Sequence, residues 1–426
     1  MESGSFLLLL GFLLVLAFVA EEGFQWLKVP PVLVLMACGV ALGPLTHVLP
    51  PRRFLEAAPA FGALTLLLIL FEGGLDLRIR AVLDRFVPGA VLAVAGFSAG
   101  FVAAAGVGLV GGLPWPSAAV LGIVLAPISG AIVLPLVGRL GLRPEVRTLA
   151  VLEGAFADVL GVLAMAFTGQ VITGGGLAGL LALGSLLAAA FSVIVAVAVG
   201  LLWPRLTRAL ADRHFIHVLT FGVALTLWGA AEWTGASGAL AVLCFGVTLA
   251  NEGEILKLLH LGAPRAGEFA RTIVARQHQF IAQLTFLVRS FFFVFLGVVV
   301  SFKDLPRSLF VEGLAVLVLF VAGRWFVVRA LERRGVVALD GVERRTIWML
   351  QPRGLVSAVL AIGATRLGVP GSDAFLGLAS LIIIGSNATM AVGLPRRARG
   401  SGGAAPTLRE ATGPGTLECA DDRRNQ

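Results

Sequence analysis

Two carboxylates, Glu153 and Asp158, sit in "LEGAFADVLGVLAM" (residues 152–165), among Ala, Phe, Val, Leu and Met. A lone charge in an apolar, water-poor setting costs at least roughly 2.5–3.5 kcal/mol even on the lenient scale of membrane insertion. Each acid therefore needs a counter-charge, a proton, a bound cation or a wet cavity. On a helix, a spacing of five residues is ~7.5 Å of rise and about 140° of rotation. The two acids do not share a face, as residues four apart would, so they are poor candidates for chelating one ion together. Arg324, in "VLFVAGRWFVV", is an equally deep cation. Pairing one acid with it removes two costly charges at once. The other acid then faces a cavity without a fixed counter-ion. Such a group can hold a proton or a small cation, not comfortably both, which is the chemistry of an exchanger.

The elements that must position these groups are membrane spans. Of 426 residues, 58% are hydrophobic and only 14% charged, with a mean hydropathy of +0.95; a soluble protein carries roughly 25% charged residues. The net charge of +8 does not mark a nucleic-acid binder, because Arg and Lys fall in short clusters between apolar runs, as membrane-flanking charge does. Taking ~20 apolar residues per crossing, we expect thirteen spans near 5–20, 29–47, 58–76, 86–112, 115–138, 146–171, 175–203, 214–232, 236–250, 280–301, 308–331, 344–365 and 372–394. The first lacks a basic flank and reads as a span rather than a cleaved signal. Residues 251–279 mix charge with apolar spacing and read as an interfacial amphipathic linker, and 395–426 as a disordered tail. Loops after odd-numbered spans, with the stretch just after the last span, hold 22 Lys and Arg; loops after even-numbered spans hold 5. That bias puts the N-terminus outside and the C-terminus in the cytoplasm.

Two spans are interrupted. The fifth contains "LAPISGAIVLP", with Pro127, Ile128, Ser129 and Gly130; the twelfth contains "MLQPRGLVSAVLA", with Pro352, Arg353 and Gly354. Pro removes a backbone donor and Gly tolerates unusual dihedrals. Unwound backbone at membrane depth survives only inside protein or against a water-filled cavity. One break per half of the chain, each beside an intramembrane charge, is the pattern of transporters whose half-helices meet at an ion site; the plainer alternative for either is a proline kink. Arg353 either offsets the negative ends of half-helices at the crossing, or is a structural plug or snorkels to an interface. Glu72 reads as structural and near an interface, Arg289 as an interfacial anchor, and Asn387 as an interhelical hydrogen-bonding group. Cys38, Cys244 and Cys419 show no paired spacing. His47, His214, His217, His260 and His278 show no ligand spacing, so no metal site and no cofactor is expected. There is no phosphate-binding GxxxxGK[ST] loop, hence no nucleotide as energy source.

"FEGGLDL" (71–77), "GAIVLPLVGRLGLRPEVRTLAVLEGAFAD" (130–158), "FFFVFLGVVVSFKDL" (291–305) and "RGLVSAVLA" (353–361) resemble, in order and spacing, the sodium/proton exchanger family of the cation–proton antiporter superfamily. The resemblance covers about residues 5–394. It implies a bundle of two inverted repeats with a core domain and a dimerisation domain, usually a homodimer. It implies Asp158 as ion and proton carrier, and Glu153 as its structural neighbour paired with Arg324. Where the family often has Thr-Asp-Pro, this chain has Ile128-Ser129-Gly130, and Ala157 stands where Asn usually precedes the carrier. The Ser129 hydroxyl, unwound carbonyls near Pro127–Ser129 and water would then complete a shell of oxygen donors.

The expectation is an all-α polytopic membrane protein that exchanges a monovalent cation, Na⁺ first, for H⁺ by alternating access. It would sit in the lipid bilayer as a homodimer, with transmembrane residues 1–394 and no nucleic-acid or nucleotide partner. The rivals are a potassium/proton exchanger and a non-transporting sensor or scaffold on the same fold.

Overall fold

A computed structural model describes residues 3–27, 30–46, 51–138, 140–174, 178–209, 215–258, 260, 268–299 and 306–394. Every regular element among them is helical. The expected tail, 395–426, lies outside the described residues, as do His47 and His214.

One group of helices packs mainly within itself: α1 (Ser3–Leu27), α2 (Pro31–Val40), α3 (Pro51–Asp76), α8 (Ala178–Ala209), α9 (Ile216–Trp233), α10 (Gly238–Ala250) and α12 (Glu268–Val299). Glycines let these backbones touch. A Cβ added to Gly39 on α2 would run into the Val294 carbonyl of α12, and one on Gly297 into the Met36 carbonyl of α2. On α3 and α10, a Cβ at Gly74 would lie 2.6 Å from the Leu243 carbonyl, and one at Gly246 2.8 Å from that of Phe71. Small residues serve this purpose in lipid, where close van der Waals packing replaces a hydrophobic driving force between helices. The Phe71 and Phe245 rings stack 5.4 Å apart over the second crossing.

The other group is α4 (Ile79–Val110), α5 (Trp115–Leu125), α6 (Gly130–Val137), α7 (Pro144–Gly174), α13 (Arg307–Arg333), α14 (Gly341–Met349), α15 (Leu355–Arg366) and α16 (Phe375–Gly393). Outward faces carry exposed Leu8, Phe12, Val102, Ile194, Val311 and Phe326, an apolar exterior that fits lipid and not water.

The molecule is thus an all-helical, multi-span membrane protein. Among the described residues, 7 helices are long and apolar enough to cross a membrane, or up to 8 if the bent pair of α10 and α11 (Glu252–Leu258) counts as one span. Shorter apolar helices lie at Pro31–Leu45, Trp115–Leu125 and Leu355–Arg366, and the described part of each of the thirteen expected segments lies mainly on helix or on an interrupted pair. The stretch 251–279 is divided. α11 turns 90° away from α10, residues 261–267 lie outside the described residues, and from Glu268 one unbroken helix runs to Val299. The fifth and twelfth segments are each two helices: α5 and α6 separated by 126–129, and α14 and α15 by 350–354.

Candidate functional site

The two interruptions meet. The backbone N–H of Ser129 donates to the Pro352 carbonyl at 2.8 Å, so the unwound strands share a backbone hydrogen bond. Gly354 permits the approach, because a Cβ there would lie 2.5 Å from Ser129 Oγ and 2.8 Å from Ser129 Cβ. The second strand is held from α16: the Arg353 N–H donates to Ser386 Oγ at 2.9 Å, and Asn387 Nδ2 donates to the Arg353 carbonyl at 2.9 Å. Asn387 therefore bonds across helices as its type suggested, while also donating to Ile383 in its own helix.

Asp158, on α7, is 2% exposed. Its Oδ2 accepts from the backbone N–H of Gly130, the first residue of α6, at 3.0 Å. A half-helix N-terminus presents unsatisfied N–H groups and a positive dipole end, a natural seat for an anion. Among the described residues, Asp158 Oδ1 and Ser129 Oγ are buried with no hydrogen-bond partner. α6 reaches α7 at all because a Cβ on Gly154 would fall 2.7 Å from Gly130 Cα. Pro127 packs where a Cβ on Gly161 would lie 2.5 Å from its ring, and Ile128 and Ala157 are buried without a polar atom on the side chain.

Glu153 points the other way, as the 140° rotation required. Arg324 on α13 grips both of its carboxylate oxygens: Nη1 donates to Oε1 and Nη2 to Oε2, the latter at 2.6 Å. Arg324 Nε also donates to the Ile347 carbonyl at 3.2 Å near the end of α14. Gly96 on α4 makes room, since a Cβ there would lie 3.1 Å from Arg324 Nη1. Arg353 is buried, so it does not snorkel. Its guanidinium lies 4.3 Å over the Phe320 ring, and a Cβ on Gly100 would be 3.3 Å from both its Nη2 and the Ala126 carbonyl. That puts the cation at the C-terminal end of α5, where half-helix carbonyls are negative.

A cavity of ≈ 360 Å³ reaches Asp158 and Gly130. One wall is the α7 face of Arg147, Val151, Ala155 and Asp158, spaced by four, four and three residues as one helical face requires. The opposite wall comes from α3, with Glu72, Gly73 and Asp76, and from α12, with Phe286 and Arg289. Asp76, Gly138 and Arg147 are exposed and mark the mouth. Glu72 and Arg289, expected near an interface, both line this cavity, and Arg289 faces Glu21 at 3.5 Å. His278 faces Asp76 at 2.9 Å. Glu21, Asp76 and the two glycines Gly130 and Gly154 as a contact pair were not anticipated; for the glycines, the signal was small residues at facing positions of the broken span and its neighbour. Among the described residues, no group of three or more His, Cys, Asp or Glu side chains could hold a metal ion.

Paired broken helices, a buried carboxylate and a cavity leading to it are the arrangement of multi-span transporters. The profile of the family described as sodium/hydrogen exchanger, transmembrane, matches residues 11–392, and the chain belongs to that family. It is 27% identical over 379 residues to Na(+)/H(+) antiporter 1 of Methanocaldococcus jannaschii, covering 83% of this chain and 82% of the relative. Two structures of the sodium proton antiporter MjNhaP1 from the same organism share the fold. One, at pH 8, has a TM-score of 0.68 and 24% identity over 92% of this chain and 96% of that one. The other, an electron-microscopy structure, has a TM-score of 0.71 and 21% identity over 92% and 95%.

Proposed function

We propose that the chain exchanges a monovalent cation, Na⁺ first, for H⁺ by alternating access, with Asp158 as the carrier. The observation that carries this reading is a buried carboxylate at the inner end of the cavity, with one oxygen on a half-helix N-terminus and the other without a partner among the described residues. A carboxylate so placed is costly to leave both charged and empty, so it holds a proton or a cation in turn. Asp158 Oδ1, Ser129 Oγ and the carbonyls of Pro127 and Ile128 supply oxygens for the ion. Glu153 is neutralised by Arg324, and Ala157 cannot ionise, so one titrating group remains at the crossing. The exchange is then one for one and moves no net charge.

The thirteen crossings form two inverted repeats, each with one broken helix. The N-terminus is outside and the protein works as a homodimer in the cell membrane. The cavity mouth lies beside Arg147, on the arginine-rich side, so this conformation is open to the cytoplasm. The names of the relative and of the solved structures, both sodium antiporters, support Na⁺ over K⁺. The test is an ion jump on reconstituted proteoliposomes, with Na⁺, K⁺ and Li⁺ compared by a pH-sensitive dye. Proton efflux driven by Na⁺ supports the reading; no flux with any of the three overturns it.

A further inference from the structure

We propose that Asn251 is a positioning residue of the transport cycle: it clasps the α3–α4 joint, about which the helix group carrying Asp158 turns against the group carrying Glu72. The inference rests on the exchange reading above.

The two groups are covalently joined at few places, and one of them is short. α3 ends at Asp76 and packs on α10 and α12; α4 starts at Ile79 and packs on α5, α7 and α13. Only Leu77 and Arg78 lie between. Arg78 is extended (φ −89°, ψ 121°) and its side chain does not cap α4. The first N–H of α4 is satisfied from a distant part of the chain. Asn251, at the corner where α11 bends away from α10, accepts from Ile79 N at 2.9 Å through Oδ1, and its Nδ2 donates to the Leu77 carbonyl at 2.7 Å. One side-chain amide therefore bonds to the residues on both sides of Arg78, as a paired peptide would. Nδ2 also donates to the Val247 carbonyl at 2.7 Å, which fixes the side chain to its own helix. The neighbouring Arg80–Glu254 ion pair, at 2.7 Å, leaves Arg80 largely exposed and is a weak tie in comparison.

The position is as telling as the bonds. Leu77 lines the cavity near its mouth. Hinges are a few element-terminal residues that absorb large changes of φ and ψ. A two-residue joint between packed helix groups, at the mouth of the cavity that must close, has that form. Within the α3–α10 and α2–α12 crossings backbone meets backbone at glycines, so those contacts are stiff; the joint is held by a side chain that can let go. Asn is the residue this geometry needs. Asp would still accept from Ile79 but would set a carboxylate oxygen against two carbonyls, and Leu would make none of the bonds.

The clasp stabilises the conformation with this cavity open, and its loss shifts the balance toward the other one. The probe is a cysteine at Gly73, on the cavity wall, where an added Cβ meets nothing within 4 Å. It is introduced into the full chain with Cys38, Cys244 and Cys419 replaced by Ser. A membrane-impermeant maleimide is applied to right-side-out and to inside-out vesicles. We expect Asn251→Leu and Asn251→Asp to lower labelling from the mouth side relative to the other by about tenfold, the shift that one net hydrogen bond gives. Should the Leu variant fail to insert, the Asp variant decides. A labelling ratio equal to that of Asn251 overturns the proposal, even if melting temperature falls, because that is what a purely structural role would give. Labelling does not need transport: a shifted ratio in a protein that moves no cation would keep the clasp and reject the exchange reading.

Discussion

Asp158 and Gly130 are joined by a single hydrogen bond of 3.0 Å, from the first backbone N–H of α6 to one oxygen of the carboxylate on α7. The bond ties the candidate carrier to the broken helix itself, so the geometry at Asp158 depends on how closely α6 and α7 approach. That approach is set by Gly154, which has no room for a side chain against Gly130.

Gly154→Ala tests this dependence. Its Cβ would fall 2.7 Å from Gly130 Cα, and overpacking of this kind costs typically about 1–3 kcal/mol. We expect α6 to be pushed away, the Gly130–Asp158 bond to lengthen, and ion-driven proton flux to fall about tenfold or more for protein that still inserts, as the cost of a lost charge-assisted hydrogen bond implies. Unchanged flux would separate the carrier from the glycine contact.

Glu153 and Arg324 are both buried and joined through both carboxylate oxygens. Truncating either partner alone strands the other charge and should cost about 3–5 kcal/mol. Removing both should cost less than the sum of the two singles. Melting in detergent of Glu153→Gln, Arg324→Met and the double variant measures the coupling; strictly additive shifts would contradict it.

Arg143 and Glu343 tie the α6–α7 corner to the first turn of α14, outside the spans. Arg143 Nε donates to Glu343 Oε1 at 2.8 Å and Nη2 to Oε2 at 2.5 Å, and Glu343 also closes the capping box with Asp340. The Arg143 guanidinium, first by its hydrogen bonds, holds the Glu343 carboxyl below its ordinary range. A depressed folded value means that the stabilisation is complete above the unfolded value and fades as pH falls through the folded one. Arg143→Ala should therefore lower the melting temperature at neutral pH and have little effect well below about pH 4, where an ordinary glutamate is protonated. An equal effect at both would count against the pair.

Much of the site was legible because membranes make charge conspicuous. Glu153, Asp158, Arg324 and Arg353 stand out in apolar runs, and the Pro and Gly residues at 127–130 and 352–354 mark where a helix cannot continue. The five-residue spacing alone required that Glu153 and Asp158 face different neighbours. The second wall of the cavity was not legible. Glu72, Asp76 and Arg289 sit near the ends of apolar runs, where charge is ordinary, and only the crossing of α3 and α12 brings them opposite α7. Within the stretch 251–279, the mixed charge of residues 268–279 hides the start of the helix that runs on to Val299, because a helix can carry polar turns before it enters lipid. Asn251 carries no such signal: an Asn just past an apolar run looks like a simple helix end, and its partners lie more than 170 residues earlier.

If Asp158 is the one group that titrates at the crossing, as proposed, the cycle is electroneutral. Proteoliposomes clamped with potassium and valinomycin at several potentials, with Na⁺ as the driven ion, should show rates that do not change with voltage. A steep dependence would require a second carrier of charge, with Glu153 the first to examine.

The most direct measurement is Na⁺-driven proton flux in proteoliposomes carrying Asp158→Asn, beside the unsubstituted protein. The substitution keeps the volume, and the side chain can still accept from Gly130, but it removes the titratable group. The account predicts correctly inserted, stable protein with no ion-driven flux. Flux at the rate of the unsubstituted protein would contradict it.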